Sequence, residues 1–170
     1  MSAGIGRAQP GAMTAPVAHA PGEGTAFWHI DTLKTFKAMT EETGGRLTAW
    51  EELLPHRSSP PLHAHSAEDE AWFVLDGMLT FQVAETTWTA EAGAFVWAPR
   101  GLPHTFRVDS PTARLLGLAL PGGFDRFVSA TGRPAAAPTL PPPPDGPPDI
   151  AALSAVAREH GMEILGPPLV

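Results

Sequence analysis

Short apolar runs separated by turn-forming residues dominate the chain from residue 26 to residue 120. These runs are rich in Phe, Trp, Val, Leu and Thr and recur between Gly, Pro and Asp residues, a spacing typical of an all-β sandwich or barrel. The pattern predicts ten strands, at 26–30, 32–37, 46–54, 61–65, 70–76, 78–83, 86–90, 94–98, 104–108 and 113–120. The main body of the chain is therefore expected to be all-β.

The segment AWFVLDGMLTFQV gives the sharpest local prediction, a β-hairpin closed by Asp76 and Gly77. An Asp-Gly pair suits the two positive-φ positions of a type I′ turn. Residues that oppose each other across such a hairpin share a face of the sheet. Counting outward from the turn places six residues on one face: Glu70 with Val83, Trp72 with Phe81, and Val74 with Leu79.

The apolar pattern changes to helical spacing after residue 120. Phe124, Phe127 and Val128 predict a short amphipathic helix that ends at Gly132. A second helix is expected to begin after Asp149, whose side chain is a good N-cap, and to end at Gly161. The last residues, MEILGPPLV, fit either one more strand or a docked tail.

Composition divides the chain into four parts. The first 24 residues are rich in Ala, Gly and Pro and are predicted to be a disordered tail. Residues 25–132 form the expected barrel with its following helix, and 133–148, which include PPPPDGPP, form a Pro-rich extended linker. Residues 149–170 form the C-terminal helix and tail.

Charge and composition narrow the possible partners. The formal net charge is -7, so phosphate backbones and anionic membrane surfaces would be repelled. The sequence holds no run of eighteen apolar residues and no secretory signal pattern, so we expect a cytoplasmic protein without a membrane or nucleic-acid partner. With no cysteine in the chain, any metal must be bound by His and carboxylate side chains.

Four residues in two clusters form such a ligand set. His63 and His65 are two residues apart, so on an extended strand both imidazoles project from one face. Glu70 lies seven residues from His63, and an unbroken strand would send it to the opposite face, so the intervening SAED must turn or bulge. Pro99, Gly101 and Pro103 shape a tight approach to His104.

Three imidazoles and one carboxylate suit one divalent transition metal: Fe, Mn, Ni, Co, Cu or Zn. The ligand types alone do not distinguish among these metals. The alternative for an isolated His-x-His pair is a solvated or hydrogen-bonded strand face, and the complete four-residue pattern favours the metal.

The spacing of these residues resembles the two motifs of the cupins, G-x5-H-x-H-x3,4-E-x6-G and G-x5-P-x-G-x2-H-x3-N. The first motif runs through His63, His65, Glu70 and Gly77, and the second runs from Gly93 to His104. The opening glycine of the first motif falls at Arg57 and the closing asparagine of the second at Val108, and neither position is a ligand in the family. The resemblance implies a cupin jelly-roll barrel with short C-terminal helices, and cupin barrels commonly associate as homodimers.

A looser resemblance, carried by PPLHAHSAEDEAWFVLDG, GAFVWAPRGLPHTFRV and MEILGPP, is to quercetin 2,3-dioxygenase-like single cupins. It implies a metal-dependent dioxygenase in which O2 attacks a flavonol-like or other aromatic or enolic small molecule, with Glu70 as ligand and catalytic base. Two alternatives remain open. One is a non-redox metal enzyme such as an isomerase, cyclase, dehydratase or decarboxylase, and the other is a non-catalytic ligand-binding protein.

Apolar residues on the face of the ligands are the candidate substrate pocket: Trp72, Val74, Leu79, Phe81, Phe95, Trp97 and Phe106. Alternation in GAFVWAP pairs Phe95 with Trp97, and Phe106 shares the face of His104. The alternative is that these side chains are plain barrel core. Glu52 is a weaker candidate for a second acid-base group, and Glu68 and Asp69 are expected to be solvated acids beside the site.

Overall fold

Two antiparallel sheets make up most of the computed structural model, which describes residues 15–143, 146 and 149–170. The larger sheet has the order β11-β1-β2-β3-β10-β5-β8. Its strands are β1 (Thr25–His29), β2 (Thr32–Ala38), β3 (Thr48–Pro55), β5 (Asp69–Asp76), β8 (Phe95–Ala98), β10 (Thr112–Leu120) and β11 (Arg133–Pro134). The smaller sheet has the order β12-β4-β9-β6-β7. Its strands are β4 (Pro61–His65), β6 (Met78–Val83), β7 (Thr86–Glu91), β9 (His104–Val108) and β12 (Met162–Pro168).

Strands account for 47% of the described residues and helices for 12%, which confirms the prediction of an all-β jelly roll with short C-terminal helices. The two helices are α1 (Phe124–Thr131) and α2 (Ile150–Glu159). Neither helix in the described part of the chain has the length and apolar character needed to cross a membrane.

Two hydrophobic clusters fill the interior. The first lies between the sheets and includes Trp72, Leu79 and Phe81, each with 3% or less of its surface exposed. The second joins Phe36 and Trp50 of the barrel to Phe127 of α1 and to residues of α2 and β12. The C-terminal elements therefore complete the core at one end of the barrel.

The predicted hairpin at Asp76 and Gly77 is wrong in its pairing. β5 pairs with β8 and β10 in the larger sheet, whereas β6 pairs with β7 and β9 in the smaller one. Gly77, at φ 87°, lies at the corner where the chain changes sheets. A Cβ at this glycine would lie 2.6 Å from the carbonyl oxygen of Thr112, so only glycine fits the corner. The six residues expected on one face are nevertheless all buried, because both sheets turn that face inward.

The C-terminal elements follow the sequence prediction closely. The Asp149 carboxylate accepts a hydrogen bond of 3.0 Å from the Ala152 amide and caps α2, and Gly161 follows the helix at φ 74°. The last segment is a strand, since β12 pairs with β4, with Met162 opposite His65 and Ile164 opposite His63. The chain end thus supports the strand that carries two of the candidate ligands.

The four-part division of the chain remains a prediction. Residues 1–14 of the expected tail, and 144, 145, 147 and 148 of the expected linker, lie outside the described residues. The beginning of the linker is attached to the barrel, because Arg133 and Pro134 form a short strand that pairs with Trp28 and Phe27 of β1. The Trp28 indole also donates a 2.7 Å hydrogen bond to the Thr139 carbonyl.

Gly117 of β10 tests how tightly the inner face is packed. A Cβ at this position would lie 2.3 Å from two ring atoms of Trp50. We expect Gly117→Ala to lower the free energy of unfolding by about 1–3 kcal/mol through overpacking, measured by denaturant titration. Gly166→Ala is the matched control, because its Cβ would meet Leu62 atoms at an ordinary 3.6 Å. Equal stability of the two variants would contradict the packing described here.

Candidate metal centre

Two adjacent strands of the smaller sheet bring the three predicted histidines together. His63 and His65 lie on β4, and His104 begins β9 directly opposite His63. The ring centroids of His63 and His104 are 4.4 Å apart, and those of His65 and His104 are 5.5 Å apart. All three side chains are buried in the barrel.

Glu70 reaches the same point from the larger sheet. The chain bends at Ser66 and Ala67 and changes sheets before β5, so the turn predicted between His65 and Glu70 is present. Glu70 Oε2 lies 3.0 Å from His104 Nε2, 3.3 Å from His65 Nε2 and 3.9 Å from His63 Nε2. One ligand atom from each of these four residues lies within 4.8 Å of the other three, a group that can hold a metal ion.

Hydrogen bonds on the far side of each ring fix how the imidazoles point. Nδ1 of His63 donates to the Pro61 carbonyl at 2.7 Å, and Nδ1 of His104 donates to the Leu102 carbonyl at 2.9 Å. Nδ1 of His65 lies 3.0 Å from a carboxylate oxygen of Glu68. Because these acceptors retain the proton on Nδ1, each neutral ring turns the lone pair of Nε2 toward the centre.

Glu68 is therefore part of the site, and the expectation that it is a solvated acid is wrong. Only 8% of its surface is exposed. Gly123 lies so close that a Cβ there would be 2.1 Å from Glu68 Oε1. A carboxylate three residues after a strand histidine was the available sequence signal, but its direction depends on the bend between β4 and β5.

The buried centre has the charge pattern of a cation site. Nε2 of His65 is buried and makes no hydrogen bond within the described structure. Nε2 of His104 faces a carboxylate oxygen at 3.0 Å, an approach of two electron-rich atoms unless a proton or metal cation lies between them. The donor set of three imidazole nitrogens and one carboxylate fits a divalent transition metal.

The pKa values of Glu70 and His65 also indicate that the centre favours a positive charge. Burial opposes ionisation of Glu70, yet the positive charge of His65 and the contact with His104 hold its pKa well below the ordinary value. Burial also opposes protonation of His65, but the Glu70 and Glu68 carboxylates raise its pKa to about 10. Burial and the neighbouring His104 lower the pKa of His63 to about 3. Without a metal ion, the Glu70 carboxylate is thus ionised beside a protonated His65 and a neutral His63, and a bound metal ion would take the place of the proton on His65.

An ion pair fastens the loop before His104 to the start of β5. Arg100 donates from Nε at 2.9 Å and from Nη2 at 2.7 Å to the carboxylate of Asp69, and its backbone amide donates to the same group. These hydrogen bonds lower the pKa of Asp69 to about 2. Asp69 is therefore not a free solvated acid. Its ion pair with Arg100 joins the loop before His104 to the start of β5, next to Glu70.

A cavity opens beside the ligands. Its lining includes His63 and Glu70 at one end, together with Trp50, Trp72, Phe106 and Phe124. The space open to the centre of a water-sized sphere is about 100 Å³.

The predicted substrate pocket is only partly placed on this cavity. Trp72 and Phe106 line it. Phe81 packs beneath them, with ring centroids 5.5 Å from Trp72 and 5.3 Å from Phe106, while Val74 and Leu79 belong to the core between the sheets.

The prediction for Phe95 and Trp97 is wrong. These rings are 60% and 43% exposed, and they lie on the outer face of β8. In the register of β8 against β5, Ala98 opposes Glu70 and Val96 opposes Trp72, so the small residues face inward. Alternation correctly placed Phe95 and Trp97 on one face of β8, but their aromatic side chains were wrongly taken as evidence that this face is the inner one.

A second polar group lies in the cavity wall, and only Glu52 of this group was singled out from the sequence. Glu52 and Lys34 oppose each other on β3 and β2, form a salt bridge and are 2% and 7% exposed. His29 and Asp31 line the same end of the cavity. Burial and the neighbouring Lys34 lower the pKa of His29 to about 3, so this ring is neutral.

Known proteins share the sequence pattern and the fold of this chain. Residues 49–118 match a family model described as a cupin domain. The quercetin 2,3-dioxygenase of Bacillus subtilis (strain 168) is 26% identical over 113 residues, which are 66% of this chain. The match covers 34% of that relative, so the chain spans about a third of its length.

Solved structures share the fold at low identity. An RmlC-like cupin from Shewanella frigidimarina has a TM-score of 0.56 and 17% identity, over 67% of this chain and 99% of that one. A predicted oxalate decarboxylase from Thermotoga maritima has a TM-score of 0.54 and 18% identity, over 57% and 93%. The matching family model and this shared fold show that the chain contains a cupin domain, at residues 49–118, and has the cupin fold.

Proposed function

We propose that this cupin is a metal-dependent dioxygenase acting on a small aromatic or enolic molecule. One observation carries the proposal: three imidazole Nε2 atoms and the Glu70 carboxylate converge at the wall of a cavity lined by aromatic rings. The similarity to a quercetin 2,3-dioxygenase supports the oxygen chemistry. The family model and the ligand set support the metal.

The four residues would hold one divalent metal among Fe, Mn, Ni, Co, Cu and Zn. When bound, such a metal supplies Lewis-acid polarisation of a substrate hydroxyl and a template for substrate and O2. His63, His65 and His104 donate Nε2, and their Nδ1 hydrogen bonds hold the rings in that orientation.

Glu70 has two different oxygens for two roles. Oε2 faces all three imidazoles and is the ligand atom. No hydrogen bond found among the described residues uses Oε1, so this oxygen is available to accept the proton of an enol or phenol held in the cavity. The depressed pKa of Glu70 keeps the carboxylate in the basic form at neutral pH.

The cavity walls favour a planar substrate of limited size. Trp72 lies with its ring centroid 5.5 Å from His104, which places an aromatic face beside the centre. Burial of a ring against Trp72 and Phe106 would exclude water from the reacting atoms. The cavity volume of about 100 Å³ is small beside the roughly 300–1,000 Å³ of typical ligand pockets, which favours a one-ring substrate over a three-ring flavonol.

Removal of one ligand tests the metal centre. We expect His104→Ala to lose metal on purification, measured by elemental analysis, because it removes the imidazole from β9. Added Zn²⁺ at 100 times its dissociation constant would stabilise the wild type by about 2.7 kcal/mol and leave the variant unchanged. His56→Ala is the control, because this histidine is outside the cluster and contacts the Ser110 carbonyl. Full metal retention by His104→Ala would refute the ligand assignment.

Substitutions at Glu68 test whether its hydrogen bond with His65 Nδ1 supports metal binding. We expect Glu68→Ala to weaken metal affinity about 10–100-fold, measured by competition with a chelator, because His65 loses the acceptor that orients its ring. Glu68→Gln retains an acceptor and should lose less. The exposed Glu85→Ala should match the wild type, and an unchanged affinity in Glu68→Ala would show that this contact does not position His65.

Oxygen dependence separates the proposed reaction from its non-redox alternatives. We expect protein reconstituted with Fe, Mn, Co or Ni to consume O2 with small catechols or enols, and to lose turnover under anaerobic conditions. Measurements with an oxygen electrode and product mass would show both atoms of O2 in the product. Turnover that persists without oxygen would favour an isomerase, cyclase, dehydratase or decarboxylase instead.

A further inference from the structure

The Lys34–Glu52 pair forms a polar wall at the end of the cavity away from the ligands. In the sheet, Thr48 pairs with Ala119 and Ala119 pairs with Glu70. Thr48, Ala119 and Glu70 therefore lie in one row across the sheet. Glu52 lies four residues beyond Thr48 on β3, so its backbone is roughly 13 Å from this row along the strand. Both ends nevertheless line one cavity, because their side chains project into the same space.

Lys34 and Glu52 differ in how many of their hydrogen-bonding groups are already used. Glu52 accepts from Lys34 with Oε1 and from the Trp50 indole with Oε2, the latter at 3.1 Å. Lys34 has three N–H donors, and within the described residues it donates only to Glu52. Its ammonium also lies 5.5 Å from the ring centroid of Phe124. Lys34 therefore has donors left for a molecule in the cavity, whereas both oxygens of Glu52 are engaged.

Stability does not account for this pair. Buried ion pairs are often replaceable by apolar residues at no loss of stability, since desolvation offsets the attraction between the charges. The Lys34 ammonium lies over the rings of Trp50 and Phe124 and also lines the cavity, so it can meet a molecule bound there.

The charges nearby select what Lys34 can bind. Glu52 neutralises Lys34, and Asp31 adds a second carboxyl group at the same end, while His29 is neutral. A carboxylate placed here would meet two acidic groups and one ammonium. A neutral acceptor, such as a carbonyl oxygen, meets the ammonium donors without that repulsion.

We infer that Lys34 is the specificity-determining residue of the cavity and binds a neutral carbonyl oxygen at the end of the substrate opposite its metal-binding hydroxyl. This inference rests on the proposed function, because the metal centre holds the other end. The substrate class is thereby narrowed to one-ring or enolic compounds with a hydroxyl at one end and a carbonyl at the other.

Three catechols provide the test with Zn²⁺-loaded protein under calorimetric titration. They present the same diol to the metal and differ at the far end: 3,4-dihydroxyacetophenone, 4-ethylcatechol and 3,4-dihydroxybenzoate. We expect the acetyl compound to bind about tenfold or more tightly than the ethyl compound, the value of a hydrogen bond to a charged donor. The benzoate should gain no such advantage.

Two variants assign the preference to Lys34. The double variant Lys34→Met/Glu52→Gln removes both charges together, so no buried charge is left unpaired, and it should lower the ratio of acetyl to ethyl affinity about tenfold, to the ratio that the greater acidity of the acetyl-substituted diol gives by itself. Glu52→Gln alone retains the ammonium and should retain the preference. Metal content and circular dichroism confirm that each variant is folded and loaded.

The outcomes separate the two proposals. An equal ratio of acetyl to ethyl affinity in the wild type and the double variant would overturn the role of Lys34 and leave the assignment of the metal centre intact. Tightest binding of the benzoate would overturn the choice of a neutral acceptor. Failure of all three catechols to bind would contradict the proposed function and this inference with it.

Discussion

The burial of the Glu70 carboxylate among three imidazoles is the interaction on which the structure of the site depends. An isolated buried carboxylate costs several kcal/mol, and neutral imidazoles with Nδ1 protonated present only lone pairs to it. A cation at the centre resolves this conflict, whether as a proton on His65 or as a metal ion. Since Glu70 comes from one sheet and the histidines from the other, a cation at the centre also binds the two sheets together.

Alternation and turn signals predicted the all-β class, nearly all strand positions and a grouping of His63, His65, Glu70 and His104, because these depend on local spacing, whereas the jelly-roll fold was implied by the resemblance to the cupins. The strand pair His63 and His65, and the turn forced before Glu70, follow from alternation alone. Which strands pair is a different problem. An Asp-Gly turn signal looks the same at a hairpin and at a corner between sheets, and the close approach of Thr112 that decides between them at Gly77 comes from 35 residues further along the chain.

Residues around the site were harder to predict for the same reason. Alternation in β8 leaves two possible faces, and the choice depends on the register with β5, which places Val96 and Ala98 inside. The pocket residues contributed by α1, α2 and β12 could not be found either, because they reach the cavity only through the packing of the chain end on the barrel. Glu68 was missed because its direction follows from a bend rather than from a regular element.

The cavity has chemically different ends, and this difference gives orientation to whatever binds there. At one end a carboxylate and lone pairs require a cation and, through it, attract a substrate oxygen that can lose its proton. At the other end an ammonium already neutralised by Glu52 offers donors but little net charge. Between them, Trp50, Trp72 and Phe106 provide apolar faces that form no directional bonds. Under the proposed function, a substrate with an acidic hydroxyl and a neutral carbonyl would satisfy both ends in only one direction, with its reactive carbon beside His63 and Glu70 rather than beside Lys34.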